Sequence, residues 1–240
     1  MWNFIKKQLQ SDHRILESSH GKDGLQIAKK EIPDLIITDL MMPQMDGMTL
    51  CKKLKTNEYT NHIPVIMLTA KAGQEHKIEG LETGADSYLT KPFDRKELQV
   101  RVNNLIQQRK QLREKFSREI TLQPRNINIT SIEEQFLKKV ENIIEKNLDN
   151  DQFGITQIQN ALAMSRTQLY RKMKALTDQA PSEFLRNYRL KRAAQILSQQ
   201  GENVTQAAYA VGFSNLSYFA KCFKELFGVA PSEYINTTHQ

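Results

Sequence analysis

Three polar side chains in the first half of the chain each follow or end a short apolar segment. Asp39 comes directly after the run at 34–38, Thr69 ends the next run, and Lys91 lies just beyond the segment at 86–89. A carboxylate, a hydroxyl and an ammonium group at one place suit phosphoryl transfer, because the carboxylate attacks phosphorus while the other two contact its equatorial oxygens. Singly, Asp39 is also compatible with a turn cap and Lys91 with a solvated loop, so the prediction depends on the three groups meeting.

The elements that must position these groups alternate between strands and helices. We predict strong strands at 34–38 and 64–69, weaker strands at 14–17 and 86–89, and helices at 23–31, 48–56, 74–83 and after Phe93. Such alternation is typical of a parallel α/β sheet, whose functional groups gather at the carboxyl ends of its strands. Asp39, Thr69 and Lys91 are therefore expected at one edge of the sheet.

The composition narrows the class of protein. A chain of 240 residues suggests one large or two modest domains. Cys51 and Cys222 are far apart and the five histidines are scattered, so we expect neither a disulfide framework nor a structural zinc site. No apolar run approaches the roughly 18–20 residues of a membrane helix. We therefore expect a cytoplasmic protein that makes no membrane contact through this chain.

The net charge of +7 is unevenly distributed along the chain. Residues 1–93 carry 12 basic and 12 acidic side chains, whereas residues 153–240 carry 10 and 5. Within the latter, residues 166–192 hold eight basic and two acidic side chains. A charge run is often only a solvated face, but here the basic residues interleave with apolar ones, which favours a polyanion-binding surface.

An internal repeat marks the second half of the chain. The sequence Ala-Pro-Ser-Glu-Phe at 180–184 recurs as Ala-Pro-Ser-Glu-Tyr at 230–234. Each copy follows a short helix, a turn ending in serine and a longer helix, which is the pattern of a helix-turn-helix unit. We predict Ser165 and Ser214 as the N-caps of the two longer helices, and we expect DNA to be the partner rather than a generic helical bundle.

Segments 33–47, 64–70 and 84–93 resemble the signatures of response-regulator receivers. The resemblance covers residues 1–115 and implies a flavodoxin-like α/β fold. It implies Asp39 as the phosphoacceptor, Thr69 and Lys91 as the phosphate switch together with Tyr88, and a cis peptide bond at Lys91–Pro92. It also implies Mg²⁺ as a cofactor and a histidine kinase as the phosphodonor.

One departure from this family concerns the metal. Its members begin with a strand that ends in an acidic pair, which holds Mg²⁺ together with the phosphoacceptor, whereas this chain opens with what reads as the first helix. Asp39 is then an incomplete metal site, and we expect inefficient phosphorylation because no cation offsets the charge that builds up around it. Two interpretations stay open: a clipped start of a longer protein, or a degenerate receiver.

The second half resembles AraC/XylS-type regulators through 165–174 and 211–224. The resemblance implies an all-helical domain with two helix-turn-helix units joined by a connecting helix at 181–198. It implies base and phosphate contacts from Arg166, Thr167, Gln168 and Arg171 in the first unit, and from Asn215, Leu216, Ser217 and Lys221 in the second. We expect Arg186, Arg189 and Arg192 either to contact phosphates or to flank the connecting helix. We expect a core role for Leu169, Tyr170, Met173, Phe219, Phe223 and Phe227.

These resemblances together predict three segments: a receiver lacking its first strand at 1–115, a linker at 116–130 and a DNA-binding domain at 131–240. The arrangement is similar to the C-terminal part of hybrid two-component systems and predicts a homodimeric transcription regulator of a phosphorelay, not an enzyme. An alternative is a constitutive DNA-binding protein whose receiver serves as a dimerisation or partner-binding module. A phosphohydrolase reading is disfavoured because Met41 stands where such enzymes carry a second aspartate.

Overall fold

The computed structural model of the chain describes residues 1–70, 84–119, 132–198 and 203–238. The predicted helix at 74–83 and most of the predicted linker lie outside the described residues. The chain divides into two compact units, the first formed mainly by Met1–Glu119 and the second mainly by the residues that follow.

In its described residues, the first unit is built on three parallel strands in the order β1-β2-β3, which span Ile36–Asp39, Val65–Thr69 and Ser87–Thr90. The register sets Asp39 opposite Leu68, and Thr69 opposite Thr90. Every residue of the central strand is buried, as expected of a parallel strand covered on both faces. The strands therefore end together at one edge of the sheet.

Helices cover the two faces of this sheet and explain the burial of β2. The helices are α1 (Trp2–Leu9), α2 (Gly21–Glu31), α3 (Gly47–Thr56) and α4 (Arg95–Glu119). Alternate residues of β2 point to opposite faces: Ile66 and Leu68 join the core cluster that includes residues of α1 and α4, whereas Val65 and Met67 join the cluster that includes residues of α2 and α3. The predicted α/β class of this half is confirmed.

One local prediction for this unit was wrong, and one helix is longer than the segment predicted to contain it. Residues 14–17 are not a strand, although Ile15 packs against the core. A strand requires a hydrogen-bonding partner, and among the described residues no strand lies beside them. Helix α4 continues to Glu119, four residues beyond the predicted end of the domain at 115. No described helix is long and apolar enough to cross a membrane.

The second unit is all-helical, as predicted. Its described helices are α5 (Ile132–Glu145), α6 (Ile155–Leu162), α7 (Arg166–Thr177), α8 (Pro181–Leu197), α9 (Val204–Ala210), α10 (Leu216–Phe227) and α11 (Pro231–Thr238). Nine of the 17 residues of α8 are buried, so this connecting helix lies at the centre of the domain. Its C-terminal half packs with α9 and α10 around Phe219 and Phe223.

The two helix-turn-helix units are equivalent but not identical in length. Ala163 and Gly212 both adopt the left-handed conformation (φ 52° and 75°) at the start of the turn, 49 residues apart. The second helices begin at Arg166 and Leu216, 50 residues apart. Counted from the left-handed residue to the start of the second helix, the second turn is therefore one residue longer than the first.

Candidate functional site

The edge where the three strands end brings the predicted phosphoryl-transfer groups together. The Lys91 ammonium group donates a hydrogen bond to Asp39 Oδ2 and forms an ion pair with it. The Lys91 backbone N–H donates to the Thr69 carbonyl at 2.7 Å, and the Leu40 N–H donates to the Leu68 carbonyl at 3.0 Å. These backbone bonds continue the sheet by one residue past each strand, and so fix the starting points of both charged side chains.

The turn after β1 orients the Asp39 carboxylate. The Met41 backbone N–H donates to Asp39 Oδ1 at 3.3 Å, and the side chain of Met41 is 83% exposed. The turn then closes on the strand, because the Gly47 N–H donates to the Leu40 carbonyl at 2.9 Å. A Cβ atom at Gly47 would lie 2.2 Å from the Asp39 carbonyl oxygen, so only glycine permits this approach.

The other two predicted switch residues lie on the neighbouring strands. Thr69 is buried at the end of β2, where the strand meets the Asp39–Lys91 pair through backbone bonds. Tyr88 is half-buried in β3 and packs against the core cluster that contains Val65 and Met67. The bond between Lys91 and Pro92 is a cis peptide, as predicted.

Asp86 has a role that was not predicted from the sequence. Its carboxylate accepts a hydrogen bond from Lys55 Nζ at 2.6 Å and another from the Val65 backbone N–H at 2.7 Å, while Lys55 also donates to the Ile63 carbonyl at 2.9 Å. These bonds join α3 to the starts of β2 and β3. They align the two strands at the end opposite Asp39, and nothing in the local sequence pattern indicates this role.

The carboxylates of the described residues do not by themselves complete a site for a divalent cation beside Asp39. Mg²⁺ requires several oxygen ligands in octahedral geometry, and the described residues contain no group of three or more His, Cys, Asp or Glu side chains that could hold a metal. Asp39 is one carboxylate, and its Oδ2 is already paired with the Lys91 ammonium group. In the described residues, the charge of Asp39 is balanced by Lys91 instead.

In the all-helical domain, helix α7, the longer helix of the first helix-turn-helix unit, begins with a capping box. Ser165 Oγ accepts from the Gln168 N–H at 3.2 Å, and Gln168 Oε1 accepts from the Ser165 N–H at 3.1 Å, which satisfies two backbone donors. Arg166 and Thr167 are exposed at this helix start, whereas Gln168 and Arg171 are half-buried. The N-cap prediction for Ser165 is confirmed, and Gln168 has a capping role that the sequence analysis missed.

The second longer helix is capped differently from our prediction. Asn215, not Ser214, is its N-cap, because Asn215 Oδ1 accepts from the Tyr218 N–H at 2.9 Å. The extra turn residue shifts the cap one position along the chain. Ser217 and Lys221 are exposed, while Leu216 is half-buried and packs against the core of the domain.

Several basic and aromatic side chains lie where we did not expect them. Tyr170 is 49% exposed on α7 and is not a core residue. Lys172 is fully buried, with its Nζ 4.7 Å from the centre of the Phe136 ring of α5. Arg192 donates to Glu145 Oε1 at 2.6 Å. Arg189 is buried and donates to three backbone carbonyls, which favours the second of its two expected roles, in the packing of the connecting helix, over a phosphate contact.

The net positive charge of 166–192 is therefore only partly directed outward. Lys172 and Arg189 are buried, Arg192 pairs with α5, and Lys174 pairs with Asp178 at the helix end at 3.1 Å. A lysine in a helix does not reveal from composition alone whether it faces solvent. An alignment of the two longer helices at a spacing of 50 residues places Lys172 opposite the buried Cys222, which is a sequence signal that could have found it.

Comparisons with known proteins agree with the families predicted for both halves of the chain. Residues 1–103 match the family described as the response regulator receiver domain, and residues 158–237 match one described as a helix-turn-helix domain. Histidine kinase P4 of Formosa agariphila is 45% identical over 233 residues, which are 97% of this chain and 17% of that protein. Response regulator PleD of Caulobacter vibrioides is 44% identical over 93 residues, 39% of this chain and 20% of that protein.

The chain thus spans a fifth or less of the length of these curated relatives. Among solved structures, the receiver domain of Francisella response regulator 1452 is 39% identical, with a TM-score of 0.41, over 44% of this chain and 87% of that one. The match to a relative named as a histidine kinase fits the arrangement of hybrid two-component systems, in which a receiver domain precedes a helix-turn-helix domain. The chain consists of a response regulator receiver domain followed by an AraC-type helix-turn-helix domain.

Proposed function

We propose that this chain is the DNA-binding output part of a two-component phosphorelay and regulates transcription. The observation that carries the proposal is the repeated helix-turn-helix unit, in which both longer helices present exposed polar residues near their starts: Arg166 and Thr167 in α7, Ser217 and Lys221 in α10. Helices in such units read base edges with their N-terminal residues. The AraC-type family match supports the same conclusion.

The two units are proposed to enter successive major grooves. Helix α8, which joins them, has 17 residues and at 1.5 Å per residue is about 26 Å long. This length is comparable with the roughly 34 Å between successive major-groove entries on one side of the duplex. In this proposal, Arg166, Thr167 and Arg171 lead the contacts of the first unit. Asn215, Ser217 and Lys221 lead those of the second, with Gln168 and Leu216 supporting the two helix starts. A homodimer then reads two such sites.

In the receiver domain we propose Asp39 as the phosphoacceptor and a histidine kinase as the phosphodonor. A carboxylate oxygen of Asp39 forms a bond to phosphorus while the P–N bond of phosphohistidine breaks and its electron pair returns to the imidazole. Lys91 lies against the carboxylate and Thr69 ends the adjacent strand, so both can contact the transferred group. Tyr88, half-buried on β3, is proposed to move when these contacts form.

A second candidate is a constitutive DNA-binding protein whose receiver serves as a dimerisation or partner-binding module. The observation that favours it is the donor set at the strand edge, where the described residues offer one carboxylate that is already paired with an ammonium group. Phosphoryl transfer to this carboxylate lacks the charge compensation that a metal supplies.

The DNA-binding proposal is tested by selection from a pool of random duplexes with the full chain. We expect an enriched motif with two parts about one helical turn apart. The double variant Arg166→Ala, Lys221→Ala is the control and should enrich no motif while keeping the circular dichroism of the wild type. Failure of the wild-type chain to enrich any motif would contradict the proposal.

The two candidates for the receiver are separated by incubation with acetyl phosphate, with and without Mg²⁺. Mass spectrometry of the intact chain measures the attached phosphoryl group, and the Asp39→Asn variant is the control. Substoichiometric labelling, with an unchanged affinity for the selected duplex, supports the constitutive candidate. Stoichiometric labelling that is lost in Asp39→Asn and changes the affinity supports the phosphorelay candidate.

A further inference from the structure

The buried guanidinium group of Arg189 connects the two helix-turn-helix units. Arg189 lies on α8 and is 8% exposed. Its Nη1 donates to the Gly212 carbonyl at 3.2 Å, and its Nη2 donates to the Asn150 carbonyl at 2.7 Å and to the Phe153 carbonyl at 3.4 Å. Gly212 lies in the turn of the second helix-turn-helix unit, whereas Asn150 and Phe153 lie in the loop between α5 and α6, the first helix of the first unit.

The backbone around this group leaves no spare room. Gly212 has φ 75°, and a Cβ atom added there would lie 2.6 Å from the Leu148 carbonyl oxygen and 2.9 Å from Arg189 Nη2. The turn of the second unit, the loop after α5 and the arginine thus form one close-packed contact. A displacement of the turn relative to the loop must break bonds of the guanidinium group.

The chemistry of arginine explains why it occupies this position. A guanidinium group is planar and holds its N–H donors in a fixed fork, so it can bond carbonyls of two separate segments and set the angle between them. A lysine at this position offers a compact ammonium group on a flexible stem, which fixes distances less well. Burial lowers the pKa of the Arg189 guanidinium, and the nearby Asp151 carboxylate raises it.

We propose that Arg189 is a positioning residue that sets the separation and angle between the two reading helices, and thereby the half-site spacing that the protein accepts on DNA. This inference rests on the proposed function, since it assumes that both units read DNA at once. Arg189 touches no base in this proposal. It acts through the turn before α10 and through the loop before α6, and its contribution is to geometry rather than to contacts with either half-site.

The test measures half-site spacing. The wild-type chain first selects its two-part motif from random duplexes, and affinities are then measured for synthetic duplexes in which the spacing is changed by −1, +1 and +2 base pairs. Each base pair rotates one half-site by roughly 34° and moves it about 3.4 Å, so a rigid reader should lose on the order of tenfold in affinity per step, equivalent to about 1.4 kcal/mol.

For Arg189→Met we expect a flattened spacing profile, with less than about threefold between neighbouring spacings, and an affinity for a single half-site close to that of the wild type. The matched control is Arg192→Met on the same helix, which removes a bond to α5 and none between the units, and should keep the sharp profile. A general loss of stability lowers affinity at all spacings alike, so the shape of the profile separates positioning from folding.

Each outcome of this experiment either supports the proposed role of Arg189 or contradicts it. A sharp profile in Arg189→Met would overturn it. If that variant does not fold, as judged by circular dichroism, Arg189→Lys is measured instead: a broadened profile supports the inference and an unchanged one overturns it. A wild-type chain that selects no DNA at all contradicts the proposed function and the inference with it, whereas a selected motif with an unchanged variant profile contradicts the inference alone.

Discussion

Charged side chains in this protein have roles that depend on their neighbours in space. Asp39 and Lys91 are 52 residues apart and form an ion pair, while Lys172 lies over the Phe136 ring and Arg189 binds carbonyls. The first pair could be predicted, because strand ends meet at one edge of a parallel sheet whatever the details of packing. The burial of Lys172 and Arg189 could not, because it depends on how α5 and its following loop pack against α7 and α8.

Cys51 provides a prediction about pH at the residue scale. The thiol is fully buried on α3, and burial raises its pKa from 9.0 to about 11, with Lys55 lowering it and Asp86 raising it. The folded pKa is above the unfolded value, so the stability that the protonated thiol contributes is present below pH 9 and lost as the pH rises through about 11. We expect the free energy of unfolding of the receiver domain to fall by at most about 2–3 kcal/mol over this range.

Fluorescence of Trp2, the one tryptophan of the chain, can follow unfolding of this domain as a function of denaturant and pH. The control is Cys51→Ala, which should lack the part of the pH dependence that lies between pH 9 and 11. An identical pH dependence in the variant and the wild type would show that the thiol is not its source. Alkylation of Cys51 by iodoacetamide should be slow in the folded chain and fast in denaturant.

At the scale of elements, the repeat in the second half was predictable in its pattern but not in its register. The recurrence of Ala-Pro-Ser-Glu identified two units, and the connecting helix predicted at 181–198 spans Pro181–Leu197. The cap of α10 was misplaced by one position, because Ser214 and Asn215 are both good capping residues and only the course of the turn selects between them. The strand predicted at 14–17 failed for a similar reason, since pairing is decided outside the segment.

Substitutions at the equivalent left-handed positions of the two turns are expected to change the free energy of unfolding in opposite directions. Ala163 has φ 52°, a conformation that costs an L-residue roughly 1–2 kcal/mol. Ala163→Gly should therefore raise the free energy of unfolding by about 0.5 kcal/mol, because relief of the strain exceeds the entropy that glycine adds to the unfolded chain. Gly212→Ala should lower it by at least about 2 kcal/mol, because the new Cβ meets Leu148 and Arg189 in addition to the strain.

Denaturant unfolding followed by circular dichroism measures both changes, and an unchanged m-value keeps the comparison within a two-state interpretation. Destabilisation by both variants would mean that the left-handed conformation at Ala163 is not strained. Tolerance of Gly212→Ala would mean that the turn can move away from the loop after α5, which would also weaken the proposed role of Arg189.

At the scale of the whole molecule, composition and charge suggested two domains and a polyanionic partner, but they did not locate the basic side chains that face outward. The excess of basic residues at 166–192 led us to predict a DNA-binding domain. This segment lies within the residues that match a helix-turn-helix family. The excess is nevertheless divided between side chains that are buried or bound within the domain, Lys172, Arg189 and Arg192, and a remaining set that includes the exposed Arg166 and the half-buried Arg171. Counting charges cannot separate these sets, because both are encoded by the same residue types in amphipathic helices.

The salt dependence of DNA binding should separate the two sets. The slope of log affinity against log salt concentration reports the number of phosphate charges that the protein neutralises. We expect Arg171→Ala to weaken binding to the selected duplex and to reduce the slope by about 1. Arg192→Ala, which removes a side chain bound to Glu145, should leave the slope unchanged even if it lowers stability. Equal slopes for the wild type and Arg171→Ala would remove Arg171 from the proposed contacts.

The unequal turns of the two helix-turn-helix units have a consequence for the proposed binding site on DNA. The units differ by one residue before the reading helix and present different side chains, Arg166 and Thr167 in one and Leu216 and Ser217 in the other. Because the two units of one chain are not equivalent, we expect the site bound by one copy to be an asymmetric sequence and not a palindrome. Such a site has an orientation relative to the genes beside it. In the proposed function, the bound regulator can therefore act on the gene on one side and not on the gene on the other.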